Sequence, residues 1–275
     1  MAYPKILTIQ DISCVGQCSL TVALPIISAC GVETCILPSA ILSTHTAGFS
    51  GFTFHDLTDD MPAIRDHWEK ENIKFDGVYT GYLGSTKQID YVINIIKTLN
   101  KDNAKAIIDP AMADGGKLYP LFNQEYVEAM KGLCAIADYV VPNITEACFL
   151  TDTEYKTEYD RAYIDVIVEK LIALGAKNVI LTGVSYREGY TGIVVFENGE
   201  YKYYEHVFLP NSCHGTGDIY ASAFTGALVR GKTAFEAAKI AADYTVECIR
   251  QTAEEENHWY GPKFEPALKT LINLL

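Results

Sequence analysis

The sequence predicts an α/β protein built on a mainly parallel sheet covered on both faces. Three observations lead there. Short strand-like runs are apolar throughout rather than alternating. Between them, apolar residues recur at helical spacing. This alternation of strand and helix signals extends through most of the 275 residues.

The elements read in order. Lys5 to Gln10 gives a first strand, and Thr34 to Leu37 another. An apolar helix lies between them from about Cys18 to Cys30, with Gly31 placed to end it. Asp76 to Thr80 is a short strand, and Ile89, Val92, Ile93, Ile96 and Leu99 then mark a helix. Ala106 to Asp109 and Tyr139 to Pro142 read as strands. Ile164, Ile167, Val168, Leu171 and Ile172 form a helical stripe closed by Gly175, and Val179 to Thr182 follows as a strand. After Gly183 the pattern changes. Gly192 to Glu197 and Glu200 to Tyr204 flank Asn198-Gly199, the signature of a hairpin on a type I′ turn. The last third is helical, Ala-rich from Ala234 to Ile249, and Glu254 to Glu256 reads as a solvated face. No linker, repeat or low-complexity stretch stands out, so residues 1–275 read as one domain.

Composition narrows the function. Hydrophobic residues make up 49% and charged residues 21%, which are globular values. A chain of this length can bury a large core without disulfides or a structural metal. Lys and Arg number 22 against 35 Asp and Glu, a net charge of −13, and no two basic residues are adjacent. Nucleic acid and anionic membranes both need clustered cations, so neither is an expected partner. No apolar run reaches membrane-spanning length. The N-terminus has neither a basic n-region nor a small-residue cleavage site, and the eight cysteines contain no Cys-x-x-Cys pair. A cytoplasmic protein with reduced thiols is the expectation.

In an open parallel sheet, ligands bind beyond the carboxyl ends of the strands. That rule selects Asp11, the run Thr80 to Ser85, Asp109 to Asp114, Asn143 to Glu146 and Thr182-Gly183. The most informative stretch is Ser212-Cys213-His214-Gly215-Thr216-Gly217-Asp218, which runs into a small-residue helix. Two glycines around Thr216 allow a tight turn that aims several N–H groups at one point, and a helix start adds its dipole. Asp218 beside such an anion site is poorly suited to bind the anion and well suited to take a proton from a nucleophile attacking it. Phosphoryl transfer to a hydroxyl follows, with Asp218 as base. The plainer alternative is a loop with Asp218 as a helix cap. A P-loop and the protein-kinase signatures are both absent.

Together these segments resemble the ribokinase-like kinases, and in particular the pyridoxal kinase branch. The resemblance rests on Gly215-Thr216-Gly217-Asp218, Asp109-Pro110-Ala111-Met112-Ala113-Asp114, Pro142-Asn143-x-x-Glu146, Gly81 to Ser85 and Ser43 to Thr46. It implies a three-layer α/β/α sandwich and ATP-dependent phosphorylation of the 5′-hydroxymethyl group of pyridoxal, pyridoxamine or pyridoxine. It also implies Mg²⁺, commonly a monovalent cation such as K⁺, and a homodimer. Carried over by residue, Asp218 is the base and the amides of Gly215, Thr216 and Gly217 hold the transferring group. Asn143 and Glu146 order the Mg²⁺ and its waters, and Asp109 faces the phosphates and metal. Tyr119 and Thr182 contact ATP. Tyr82, His45 and Thr46 lie near the pyridine ring.

The chain departs from that pattern at Asp11, where many members carry Ser, and at Ala111 and Ala113. Asp11 suits a pyridinium N–H or a ring hydroxyl, and leaves hydroxymethylpyrimidine open as an acceptor. Plainer readings exist for single residues. Asp109 suits a turn before Pro110, Asn143 an Asx turn, and Glu146 a capping box with Asn143. Tyr82 is one of 18 tyrosines, His45 suits a satisfied loop histidine, and Cys213 has no assignable base. A kinase of another small alcohol, and a binding protein without turnover, remain as alternatives.

Overall fold

The computed structural model describes residues 3–210, 214–255 and 257–275. Ser212, Cys213 and Glu256 of the segments singled out above therefore lie outside the described residues. The chain opens with β1 (Lys5–Ser13), α1 (Leu20–Ala29), β2 (Glu33–Leu42) and β3 (Phe54–Asp56). Then come α2 (Met61–Lys70), β4 (Phe75–Thr80), α3 (Thr86–Leu99) and β5 (Asn100–Ile108). A small hairpin follows, β6 (Ala113–Asp114) and β7 (Lys117–Leu118), before α4 (Gln124–Cys134), β8 (Tyr139–Val140), α5 (Ile144–Leu150) and α6 (Arg161–Leu174). The rest is β9 (Asn178–Val184), β10 (Tyr190–Glu197), β11 (Glu200–Val207), α7 (Thr216–Val229), α8 (Ala234–Ala253) and α9 (Leu268–Leu274).

The main sheet has the order β11-β10-β9-β8-β5-β4-β1-β2-β3. Strands β9 through β2 in that order run parallel, and β10, β11 and β3 are antiparallel additions at the two edges. Both faces are covered, as continuous apolar strands require. Along β1, Ile6 packs with α1, α7 and α8, while Leu7 and Ile9 pack with α3 and α4. Strand β9 divides likewise, with Ile180 on the first side and Val179 and Leu181 on the second. This is the three-layer α/β/α arrangement.

Local chemistry explains the boundaries. Helix α1 ends at Gly31 with φ 77°, and α6 at Gly175 with φ 123°. Asn198 and Gly199 both have positive φ, so the β10–β11 hairpin turns as its sequence requires. One expectation changes: β2 does not stop at Leu37 but continues through Pro38 to Leu42. Proline lacks the donor a ladder needs, and the register slips there. Asp11 of β1 opposes two residues of β2, Ser39 and Ala40. Such a bulge bends a strand and re-aims a side chain, and here it falls at the carboxyl end of the sheet.

The chain runs from β1 to β2 on one side, and the next parallel strand, β4, lies on the other side of β1. That reversal makes the crevice at the ends of β1 and β4 the natural ligand site.

Candidate active site

Helices α5 and α7 are two of those that begin at this edge. Helix α5 follows β8 and closes its own N-terminus. The Glu146 N–H donates to Asn143 Oδ1 at 2.9 Å, and the Asn143 N–H donates to Glu146 Oε2 at 2.9 Å. The capping box read as the plain alternative is thus formed. Glu146 Oε1 takes a further N–H from Met112 at 3.1 Å, and Asn143 Nδ2 donates to the Ala113 carbonyl at 2.9 Å. The Asp109–Asp114 segment is therefore bolted to α5.

Helix α7 behaves differently. Its N-cap is Gly215 at φ 96°, with no side-chain cap. A Cβ there would stand 2.1 Å from the Gln17 carbonyl oxygen, so only glycine allows this approach. Among the described residues no side chain caps the first amides of α7, and an uncapped helix start suits an anion. Asp218 is not the cap. It sits inside the first turn.

Four acids stand in electrostatic sequence along the edge. Burial first, then the Asp11 charge, pushes the Asp218 carboxyl up to about 7, while an N–H from Ser19 opposes the rise. Asp109 ends β5 and is likewise pushed up to about 7, by burial and then by Asp218; its Oδ1 accepts from the Ala111 N–H at 3.1 Å. Glu146 is raised well above the carboxylate range by burial and then Asp109, against three backbone N–H groups. Asp11 is raised by burial, with hydroxyls of Ser19 and Ser13 opposing. None of the described ion pairs involves these four residues. Among the described residues no group of three or more His, Cys, Asp or Glu is arranged to hold a metal. Buried acids without a cation fit a divalent ion that arrives on phosphates and keeps its waters, rather than one held in a protein cage.

The remaining sequence-selected residues fall at the two ends of this row. Tyr119 follows the β6–β7 hairpin, where burial and the charges of Glu146, Asp114, Asp109 and Asp218 raise its phenol. Thr182 of β9 bridges to Asn143, and its hydroxyl donates to the Pro142 carbonyl at 3.2 Å. At the other end Tyr82 is pushed up to about 12 by burial and then by Asp11 and Asp56, and its ring packs 5.5 Å from Phe122. His45 is buried against Gly16. Its Nδ1 accepts from the Ala47 N–H at 3.2 Å and its Nε2 donates to the Tyr260 carbonyl at 2.9 Å. That is the satisfied loop histidine, with the Nε2–H tautomer set by its partners. Thr46 is exposed.

Ser19 was not singled out from sequence. Its φ is 52°, an uncommon left-handed value for serine. This places its N–H toward Asp218 and its hydroxyl toward Asp11. No local sequence signal marks it. The Trp259-Tyr260 segment was also missed. The Trp259 ring packs tilted against Phe49, 4.6 Å between centroids, and fills the space beside Gly48. Contacts over such separations leave no periodicity to read.

The fold and the residues gathered at its strand ends define a ribokinase-like kinase. A family profile described as phosphomethylpyrimidine kinase matches residues 24–263, and the chain belongs to that family. It is 28% identical over 248 residues to the pyridoxal kinase of Dictyostelium discoideum, covering 84% of this chain and 80% of that protein. The crystal structure of pyridoxal kinase from Lactobacillus plantarum superposes with a TM-score of 0.92 at 29% identity, covering 99% of this chain and 98% of that one. A provisionally assigned phosphomethylpyrimidine kinase of Bacteroides thetaiotaomicron, in a crystal form with pyridoxal, gives a TM-score of 0.92 at 35% identity, covering 98% and 96%. The chain is accordingly a phosphotransferase with an alcohol group as acceptor. No described helix is long and apolar enough to cross a membrane.

Proposed function

We propose that this chain, acting as one domain over residues 1–275, transfers the γ-phosphoryl group of ATP to the 5′-hydroxymethyl group of pyridoxal, pyridoxamine or pyridoxine. The products are the 5′-phosphate and ADP. One observation carries the reading. The helix start at Gly215 carries no side-chain cap among the described residues, and Asp218, a carboxyl pushed up to about 7, stands in the same turn. A base works best with a proton affinity near the working pH.

As the acceptor oxygen bonds to the γ-phosphorus, its proton passes to Asp218 and the bond from phosphorus to the bridging oxygen of ADP breaks. The amides of Gly215, Thr216 and Gly217 face the oxygens on which charge gathers, which is where fixed donors lower a barrier most. Asp109 and Glu146 would hold Mg²⁺ through its waters, with Asn143 fixing Glu146. When bound, that ion neutralises phosphate charge, and K⁺ would add to this. Tyr119 and Thr182 flank the nucleotide. Asp11, His45, Thr46 and Tyr82 would surround the acceptor ring, with Asp11 facing the β2 bulge at the carboxyl end of β1. A homodimer in the cytoplasm completes the proposal, a compartment that suits the seven described cysteines, all unpaired.

A second acceptor, hydroxymethylpyrimidine, is favoured by the family description, and Asp11 does not exclude it. Parallel turnover of pyridoxal, pyridoxamine, hydroxymethylpyrimidine and ribose with Mg-ATP separates the readings. The expected result is the highest kcat/KM on a B6 vitamer. Preference for the pyrimidine would move the assignment to the second reading. ATP and pyridoxal binding without ADP formation would leave a binding protein.

A further inference from the structure

Beside the proposed phosphate loop, one residue outside the proposed reacting groups is held on several sides. Gln17 lies in the connection between β1 and α1. Its carbonyl oxygen is the atom that a Gly215 Cβ would strike. On its other side, a Cβ on Gly261, at φ 138°, would come within 2.7 Å of Gln17 Cβ and 3.0 Å of its nitrogen. Backbone from two distant parts of the chain thus closes on Gln17, and each does so through a glycine with positive φ.

The Gln17 side chain is also tied down. Its Nε2 donates to Glu265 Oε1 at 3.0 Å and to Oε2 at 2.9 Å. His258 Nε2 donates to its Oε1 at 2.8 Å. A carboxylate on one side and a ring N–H on the other fix which amide atom points where. The Gln17 N–H donates to the Tyr260 carbonyl at 3.3 Å, and that same oxygen accepts from His45 Nε2. The segment from His258 to Glu265 therefore reaches the Gly215 turn through Gln17 and the Ser43–Phe54 segment through His45.

We infer that Gln17 is a positioning residue: anchored by His258 and Glu265, its main chain forms the seat that sets where the Gly215 turn presents its amides. This rests on the proposed reading of Gly215, Thr216 and Gly217 as the phosphoryl-holding loop. The anchoring bonds are exposed or partly buried, and individually such bonds add little to stability. Their importance is geometric, because a displacement of about 1 Å at reacting atoms can cost as much as 10²-fold in rate.

The test is a swap of the two partners in the full chain, assayed with Mg-ATP and pyridoxal. Gln17→Glu places two carboxylates face to face. Glu265→Gln leaves a weaker amide pair. The double variant restores an amide facing a carboxylate in the opposite sense. Gln17→Glu should lower kcat on the order of tenfold, with KM for pyridoxal and Tm near the wild-type values. Glu265→Gln should stay close to wild type, and the double variant should recover most of the lost kcat. A Gln17→Glu enzyme with undiminished kcat overturns the inference. So does a double variant that holds the wild-type Tm without recovering kcat, because the restored pair would then not set the turn. Absence of turnover in the wild-type chain would instead sink the functional reading, so the two failures are distinguishable.

Discussion

Helices α5 and α7 both start at the carboxyl edge of the same sheet, yet they spend their first amides in opposite ways. At α5 the Asn143–Glu146 box consumes donors within the protein, and both Glu146 oxygens accept backbone N–H groups. At α7 the cap is a glycine without a side chain, and the acid in its first turn, Asp218, has Ser19 as its backbone partner. A helix end satisfied internally is rigid and inert toward an anion. One left open is a binding site. The hydrogen bonds of α5 hold the Asp109–Asp114 segment, and on the proposed reading α7 carries the chemistry.

Breaking the open end should cost most. Asp218→Asn removes the base and should lower kcat by about 10²- to 10⁴-fold, with ATP affinity little changed; steady-state kinetics beside nucleotide titration checks this. Gly215→Ala comes next. Its Cβ overlaps the Gln17 carbonyl and its φ of 96° disfavours a side chain. The amides must shift, and kcat should fall on the order of 10²-fold. A variant with normal turnover would deny these amides their role.

At the closed end the effects are smaller and of another kind. Glu146→Ala should raise the Mg²⁺ concentration needed for half-maximal rate and lower stability by about 1 kcal/mol through the lost capping partner. An unchanged metal titration would leave Glu146 with the cap alone. The smallest expected effect is on stability and has a definite sign. The folded carboxyls of Asp109 and Asp218 sit near 7, above the ordinary 3.8, so folding disfavours their charged forms. Their contribution destabilises the ligand-free fold increasingly as pH rises from about 4 to 7. Asp218→Asn should therefore melt higher than wild type at pH 8, and this advantage should vanish toward pH 4.

Much of this edge was legible before the structure. Asp109, Asn143, Glu146, Thr182 and the Gly215–Asp218 turn are local motifs at strand ends, and local chemistry marks them: glycines, a proline and an Asn-x-x-Glu spacing. The capping box at Asn143 was also readable, as a plainer alternative to a metal role, and it is present. Less visible were features that depend on two distant segments. The bulge opposite Asp11 arises where Pro38 of β2 meets β1, and neither strand announces it alone. Ser19, at φ 52°, meets Asp11 and Asp218, which lie in two distant segments. Gln17 meets Glu265 across a separation of 248 residues. His45 had a plainer reading as a satisfied loop histidine, and both its nitrogens do have backbone partners.

The central claim is that Asp218 takes the acceptor proton, and the pH dependence of kcat/KM for pyridoxal tests it most directly. The wild-type enzyme should lose activity as the medium becomes more acid than about pH 7. Because Asp109 titrates against Asp218, that acid limb should shift to lower pH in the residual activity of Asp218→Asn. A limb that keeps its midpoint in the variant would show that some other group governs proton removal.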